Sequence, residues 1–326
     1  MIRAALRRWR RTLTGFPGLG GIGWLSSVML RRGPEIYEDL APEEIAGPET
    51  RYLRVNGEAV SYRETGAGDP PVVLIHGFGG RIETWRDVQP VLAERHRTVA
   101  FDLWGFGAAG RPRALTPRDW VAETFGVMDA LGIASAYFVT HSLGGRVALM
   151  CARQAPERVR GLVLCDVDWG QAPHGYLLAR GICHTPLFDA TMLRLRGERR
   201  HLHRLMTMVL GRQAMLTPEL IELYHGPLRV RGTAHTLGCV GRSDHLRGIR
   251  ALTRGIACPS LVIWGQDDPV IPAGYGDLLA RKLGADGPHL VPACGHFPQE
   301  EYPEVVNPLI ESWLARQAPR PDAVTR

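Results

Sequence analysis

The sequence predicts an α/β fold, with a mostly parallel central sheet flanked by helices and a helical cap inserted between two of its strands. Short apolar runs alternate with longer stretches of helical spacing from residue 72 onward. Such alternation is typical of right-handed βαβ units and a parallel sheet. Residues 169–254 show helical apolar spacing without a convincing strand, and further strands follow them. This interruption therefore indicates an insertion into one sheet.

The elements of this fold are predicted in order along the chain. A β-meander opens the folded part, with strands at 51–55 and 59–64 on either side of the turn Asn56-Gly57. The later strands are predicted at 72–76, 98–102, 136–140, 159–166, 260–265 and 289–292. Helices are predicted near 84–94, 117–131, 143–154, 275–284 and 302–316.

These elements divide the chain into five parts. The parts are a leader (1–49), a first core part (50–168), the cap (169–254), a second core part (255–318) and a tail (319–326). The cap holds 13 Arg and seven His against five acids. Lys282 is the only lysine of the chain, so arginine is its usual basic residue everywhere. We therefore interpret the arginines of the cap as an ordinary solvated basic face. An attraction for an anionic substrate is the alternative.

The leader carries the whole basic excess of the chain, whose net charge is +6. Residues 1–32 hold seven of the 39 Lys and Arg residues and no acid, so the remaining 32 bases face all 33 acids. A nucleic-acid-binding domain would spread its basic charge over the fold. We therefore expect no nucleic-acid partner, and residues 1–32 are the part that could contact a membrane surface.

The uncharged stretch from Thr12 to Leu30 leaves several roles for the leader open. It approaches the length of a membrane span, but five glycines and a proline interrupt it between Gly15 and Gly23. A surface anchor with basic flanks, a span, a packed or mobile tail and a transit sequence all remain alternatives.

Cysteine and histidine spacing gives no support to a disulfide framework or a metal site. Six cysteines lie singly, without a C-x-x-C pair, which favours buried, inert thiols in a reducing compartment. His201 and His203 do not share a helix face and lack a third ligand. We expect a cytoplasmic protein that uses no metal and no cofactor.

A serine at the apex of a strand-to-helix junction is the first candidate for chemistry. The segment 137–146 reads YFVTHSLGGR, with Ser142 directly before Leu143 and two glycines. This arrangement is typical of a nucleophile elbow, although Thr140 stands where the motif G-x-S-x-G has its first glycine. A serine that only caps the helix is the alternative.

A glycine-rich loop precedes this serine in the chain. The loop HGFGG at 76–80 follows the apolar strand VVLI, and its backbone N–H groups can turn toward Ser142. We predict that the amides of Phe78 and Leu143 form an oxyanion hole, which stabilises charge that develops only in the transition state. His76 is expected to hold the loop through side-chain hydrogen bonds.

Five motifs in register resemble those of the α/β-hydrolase family over residues 50–317. They are HGFGG at 76–80, DLWGFG at 102–107, HSLGG at 141–145, WGQDDPVIP at 264–272 and GHFPQEEYP at 295–303. The resemblance implies the α/β-hydrolase fold, with Ser142 as nucleophile, Asp268 as triad acid and His296 as general base. The order Ser, Asp, His is the one that the family has.

The choice of the triad acid rests on the family pattern, which places it three residues after Gly265. This rule selects Asp268 over its neighbour Asp267, and Asp166 after the strand 159–166 is a further alternative. Asp102 resembles a structural turn of the family and receives no catalytic role.

The leading functional hypothesis is a serine hydrolase, similar to esterases and lipases, that cleaves a small carboxylic ester through an acyl-enzyme. An apolar or lipid-like ester is one candidate substrate. Carbon–carbon, thioester or lactone hydrolysis by the same triad is the alternative within enzymes. A catalytically silent, membrane-associated binding protein is the alternative from another class.

Overall fold

The computed structural model describes residues 39–168, 196–242 and 249–317 and contains one eight-stranded sheet. The strands are β1 (Arg51–Val55), β2 (Glu58–Thr65), β3 (Val72–Ile75), β4 (Thr98–Phe101), β5 (Ala136–His141), β6 (Val159–Cys165), β7 (Ser260–Gly265) and β8 (Asp286–Val291). Their order across the sheet is β1-β2-β4-β3-β5-β6-β7-β8. β1 pairs antiparallel with β2, β2 pairs antiparallel with β4, and all other pairs are parallel.

Helices cover both faces of this sheet, as the α/β prediction requires. The α-helices of the described residues are α1 (Gln89–Ala93), α2 (Pro117–Ala130), α3 (Leu143–Gln154), α4 (Arg199–Val209), α5 (Pro218–Arg229), α6 (Thr233–Arg242), α7 (Ile249–Thr253), α8 (Gly274–Leu283), α9 (Pro298–Glu301) and α10 (Pro303–Gln317). Short 3₁₀ helices lie at Pro42–Ile45, Ile82–Trp85, Pro156–Arg158 and Gln213–Met215.

Alternation along the central strands divides the core into two layers. In β3, Val73 and Ile75 belong to one buried cluster, whereas Val72 and Leu74 belong to the other. Successive side chains of a strand point to opposite faces, so a strand covered on both sides must be apolar throughout. All four residues of β3 and of β4 are buried, which explains why both read as continuous apolar runs.

Two predicted helices are interrupted at prolines. The helix expected near 84–94 is a 3₁₀ turn at Ile82–Trp85 followed by α1, whose second residue is Pro90. The helix expected at 302–316 is α9 and α10, separated at Tyr302, which has φ −140° and ψ 58° and precedes Pro303. The helical region of φ and ψ is disfavoured for a residue before proline, so one helix ends before Tyr302 and the next begins at Pro303.

Four α-helices and one 3₁₀ helix lie between β6 and β7 among the described residues of the predicted cap. A small apolar cluster joins α4 and α5 to Phe297 of the core. Residues 169–195 and 243–248 of this segment lie outside the described residues, as do the predicted membrane-contacting stretch 1–32 and the tail 319–326.

The expectation of buried thiols is correct for only part of the cysteines. Cys151, Cys165 and Cys294 are buried, but Cys239 and Cys258 are partly exposed. Cys183 lies outside the described residues. The absence of paired cysteines in the sequence does not determine whether each thiol is buried. Cys239 lies near the end of α6 and Cys258 lies between α7 and β7, and both lie at the edge of the apolar core.

The two glycines after Ser142 are expected to be required for the close packing of α3 against the sheet. A Cβ atom on Gly144 would lie 2.7 Å from the carbonyl oxygen of His76 and closer still to that of Ile75. Gly144→Ala should therefore lower the free energy of unfolding by about 1–3 kcal/mol, measured by urea denaturation.

Gly274→Ala is the matched control, because nothing lies within 4 Å of a Cβ atom at this helical glycine. Removing backbone freedom from the unfolded chain should there stabilise the protein by up to about 1 kcal/mol. Equal effects of the two substitutions would show that packing against β3 is not what requires Gly144.

Candidate active site

Ser142 lies in a sharp turn between β5 and α3. Its φ of 48° and ψ of −113° are unfavourable for a residue with a side chain, and the residue is 6% exposed. The β-branched Thr140 fits within β5, where its hydroxyl donates a hydrogen bond to the carbonyl oxygen of Val163 at 2.9 Å. The chain therefore forms the strand–turn–helix geometry of a nucleophile elbow without the first glycine of the motif.

Ser142, His296 and Asp268 lie in hydrogen-bonding sequence. The Oγ of Ser142 is 3.1 Å from Nε2 of His296, and Nδ1 of His296 is 2.8 Å from Oδ2 of Asp268. A carboxylate accepts, so Nδ1 carries the proton and Nε2 is left to accept the serine proton. This is the tautomer that a histidine needs to act as a general base toward a serine.

The carboxyl group of Asp268 is held by the backbone that follows it. Its Oδ1 accepts hydrogen bonds from the amides of Val270 and Ile271, at 2.7 and 3.0 Å, and its side chain is fully buried. Asp267 is exposed. Of the two adjacent acids, the structure brings Asp268 to the imidazole.

Asp166, the further alternative, lies at the end of β6 and binds a different partner. Its Oδ1 accepts from the amide of Gly265 at 2.9 Å, and Oδ2 has no hydrogen-bond partner among the residues that the structure describes. Burial, followed by the charge of Asp268, raises the pKa of Asp166 well above its usual range. A carboxyl group that stays protonated cannot supply the negative charge that stabilises an imidazolium.

The loop after β3 lies directly against the serine. A Cβ atom on Gly77 would come within 3.0 Å of the Cβ of Ser142. His76 holds this loop as expected: its Nδ1–H donates to the carbonyl of Gly77 at 2.7 Å, and its Nε2 accepts from the amide of Leu103 at 3.0 Å. Burial lowers the pKa of His76, which keeps the ring neutral.

The predicted oxyanion donors flank Ser142 on two sides. Leu143 is the first residue of α3, where backbone N–H groups have no partner within the helix. Phe78 follows Gly77 in the loop, and its side chain is 53% exposed beside the ring of Phe106, with 5.4 Å between ring centroids. The oxyanion role of both amides stays a prediction.

Asp102 has the structural surroundings that its motif predicts. Its carboxylate accepts hydrogen bonds from the hydroxyl of Ser61 and the amides of Ile82 and Ala108, at 2.6, 2.6 and 2.8 Å. The backbone of Ala108 thus supplies one of the contacts that hold this turn.

His141 contacts the loop that carries His296, and this contact was not predicted from the sequence. Its Nε2–H donates to the carbonyl oxygen of His296 at 2.6 Å, and its ring lies 5.0 Å from the rings of both His296 and Phe297. Burial and the neighbouring His296 lower the pKa of His141 well below its usual value. A single histidine before the serine carries no pattern that could have predicted this contact.

The donor atoms near the triad include one set of metal-ligand type. One ring nitrogen each of His141 and His296 and one oxygen of Asp166 lie within 4.8 Å of one another. Both ring nitrogens of His296 already face Ser142 and Asp268, so a metal ion here would compete with the triad geometry. We therefore assign no metal to this cluster.

The amino-acid sequence of this chain is similar to a family profile and to several known proteins. The sequence profile described as "Alpha/beta hydrolase family" matches residues 72–309. The 2-hydroxymuconate semialdehyde hydrolase of Pseudomonas sp. (strain CF600) is 31% identical over 277 residues, 81% of this chain and 93% of that protein. The dihydrolipoyllysine-residue acetyltransferase component of the acetoin cleaving system of Pseudomonas putida is 29% identical over 90% of this chain and 76% of its own length.

Solved structures resemble the chain over most of its length. A meta-cleavage product hydrolase from Pseudomonas fluorescens IP01 has a TM-score of 0.70 at 24% identity, covering 82% of this chain and 97% of its own. A thermophilic esterase from Thermogutta terrifontis has a TM-score of 0.69 at 24% identity, covering 82% and 98%. The eight-stranded sheet, the matched profile and these relatives agree, and the chain belongs to the α/β-hydrolase family.

Proposed function

We propose that the chain is a serine hydrolase that cleaves a carboxylic ester through an acyl-enzyme on Ser142. The main support is the hydrogen-bonding sequence from Ser142 through His296 to Asp268. In this mechanism Ser142 Oγ attacks the acyl carbon while Nε2 of His296 takes its proton. The tetrahedral intermediate then collapses, and the imidazolium protonates the leaving alcohol. Water, deprotonated by His296, finally releases the carboxylic acid and restores the serine.

Apolar groups near the serine favour an apolar acyl or alcohol part. The half-exposed side chain of Phe78 lies on the loop 76–80, which carries one proposed oxyanion donor. Phe297 follows His296 and packs against Tyr224 of the cap helix α5. Covering the half-exposed ring of Phe78 with a substrate contributes binding energy in proportion to the apolar area removed from water. A lipid-like or otherwise apolar ester fits these surroundings.

Hydrolysis of a carbon–carbon bond is the second candidate. It is favoured by the 31% identity to 2-hydroxymuconate semialdehyde hydrolase. Thioester and lactone hydrolysis would need the same three residues. A panel of nitrophenyl esters of rising chain length, run beside a dienoic keto acid, distinguishes the two candidates, and we expect turnover of the esters to exceed that of the keto acid.

Replacing the nucleophile should abolish hydrolysis without unfolding the protein. Ser142→Ala should lower turnover of the best ester by about 10⁴-fold or more, as in other triads, and prevent labelling by a fluorophosphonate probe. The measurements are steady-state kinetics and mass spectrometry of the labelled protein. A mutant that keeps a tenth of the activity would refute the assignment. A wild-type protein that is neither labelled nor active would favour the silent binding protein instead.

Asp268→Asn should lower activity far more than Asp166→Asn, because Asp268 is the carboxylate that accepts a hydrogen bond from Nδ1–H of His296. We expect a loss of about 10³- to 10⁴-fold for Asp268→Asn, by analogy with triad acids elsewhere. Asp267→Asn is the control for charge alone, since Asp267 is an exposed neighbour. Rates of fluorophosphonate labelling measure all three variants, and equal losses at Asp166 and Asp268 would contradict the choice of acid.

We further propose that residues 1–32 attach the protein to anionic membranes. The support is the segregation of charge, with seven Arg and no acid in this stretch. Each Arg near an anionic surface contributes about 1 kcal/mol, and apolar residues such as Phe16 and Trp24 can add burial in the interface. Among the described ranges, no helix has the length and hydropathy of a membrane span.

Deleting residues 1–32 should release the protein from anionic vesicles while hydrolysis of a soluble short-chain ester stays nearly unchanged. Sedimentation with vesicles at low and high salt measures the attachment, since salt screens the electrostatic part. If the full-length and truncated proteins sediment equally, the leader is not a membrane anchor.

A further inference from the structure

Glu301 joins the loop that carries His296, residues 292–297 (the catalytic loop), to the end of a cap helix. It is the last residue of α9 and is fully buried. Its Oε2 accepts hydrogen bonds from the amides of Gly211 and Arg212, both at 2.7 Å, directly after α4. The same carboxyl group accepts from the amides of Gly295 and Phe297, both at 3.2 Å, on either side of His296. One side chain thus binds four backbone N–H groups from two separate segments.

The two segments also touch each other through backbone atoms. The amide of His296 donates to the carbonyl oxygen of Val209 at 2.9 Å. A Cβ atom on Gly211 would lie 2.7 Å from the amide nitrogen of Gly295, and one on Gly295 would lie 2.5 Å from that of Gly211. No side chain fits between them, so a shift of residues 209–212 must move the loop that carries His296.

We infer that Glu301 is a positioning residue, which aligns His296 by fixing the catalytic loop to the end of α4. The inference rests on the proposed role of His296 as general base. Cap and catalytic histidine are then mechanically coupled, because the segment that ends α4 is also the support of the histidine. A cap displaced at this joint would leave Ser142 without its base even while substrate can enter.

The chemistry of the joint requires a carboxylate. A carboxylate offers only acceptor sites, which match four converging N–H donors. Three of the donors bind Oε2, and the amide of Phe297 alone binds Oε1. A glutamine of the same shape that keeps its carbonyl oxygen at the Oε2 position would turn its NH₂ group toward the amide of Phe297 and leave that donor without an acceptor. A buried donor without a partner is costly, so the backbone next to His296 would shift rather than tolerate the contact.

The neighbouring Glu300 provides a matched control within the same helix. It is also buried, but its carboxyl group binds the hydroxyl of Tyr224 and the guanidinium of Arg86, at 2.5 Å for the latter. The side chain of Glu300 therefore links cap and core through Tyr224 and Arg86, and not through the backbone around His296. Glu300→Gln tests the effect of losing a buried carboxylate, and Glu301→Gln adds the loss of the acceptor beside His296.

The experiment compares labelling of Ser142 by a fluorophosphonate probe in full-length protein, which requires the nucleophile and its base but no knowledge of the substrate. We expect labelling by Glu301→Gln to be about 10- to 100-fold slower than wild type, the range for a misplaced catalytic group. Glu300→Gln should stay within about threefold of wild type, since its contacts do not position the base. Thermal unfolding of both variants shows whether they differ in stability.

A spectroscopic signal separates positioning from stability. The low-field proton resonance of the Nδ1–H of His296 reports its hydrogen bond to Asp268. It should be lost or shifted in Glu301→Gln and kept in Glu300→Gln. Equal labelling rates and unchanged resonances in both variants would overturn the inference. Absence of labelling in the wild type would instead count against the proposed function.

A second pair of variants decides the matter if Glu301→Gln fails to fold. Arg212 is exposed, and its φ of −84° is close to the value that proline requires. Arg212→Pro removes the N–H that donates to Glu301, whereas Arg212→Ala removes only the guanidinium. We expect Arg212→Pro to label at least about threefold more slowly than Arg212→Ala, in line with the loss of one buried hydrogen bond. Equal rates would contradict the coupling.

Discussion

Contact between helix α3 and the strands beside β5 is the constraint on which the candidate site depends. Gly144 and Gly145 let the helix begin against the backbone of β3 and against Val167. The helix can start so close only if Ser142 takes a positive φ. Three backbone hydrogen bonds compensate this strain: the amide of Ser142 donates to Cys165, and its carbonyl accepts from Gly145 and Asp168. The same turn places Oγ beside Nε2 of His296.

The sequence was most informative where one physical pattern dominates. The alternation of short apolar runs with longer helical stretches predicted the parallel sheet, and β1, β7 and α3 have the bounds that were expected. Helix limits were less predictable where a proline competes with helical spacing, as at Pro90 and Pro303. For the site, motif spacing selected three residues that lie together, although their catalytic roles remain to be tested by substitution.

Contacts between distant segments could not be predicted in the same way. The bonds from Gly211 and Arg212 to Glu301 join residues about 90 positions apart, and nothing in either segment signals the other. Asp166 shows the opposite case, in which the sequence suggested a role that the contacts in the structure do not support. Its place after β6 made it a plausible triad acid, but only the structure shows that its carboxyl group binds the amide of Gly265 and that its other oxygen has no partner within 39–168, 196–242 and 249–317. Sequence gives the order of such groups, whereas packing determines their direction.

The charge state of the groups around Ser142 suits a reaction in which charge develops only during catalysis. Burial lowers the pKa of His141, so that this neighbour stays uncharged at neutral pH, and raises the pKa of Asp166. In the proposed mechanism, an uncharged His141 does not repel the imidazolium that forms at His296, and a protonated Asp166 does not compete with the Asp268 carboxylate for it. The proposed oxyanion forms at the same moment, next to the N-terminus of α3, where the helix dipole favours negative charge. Interactions that strengthen only as both charges appear lower the barrier without tightening the ground state.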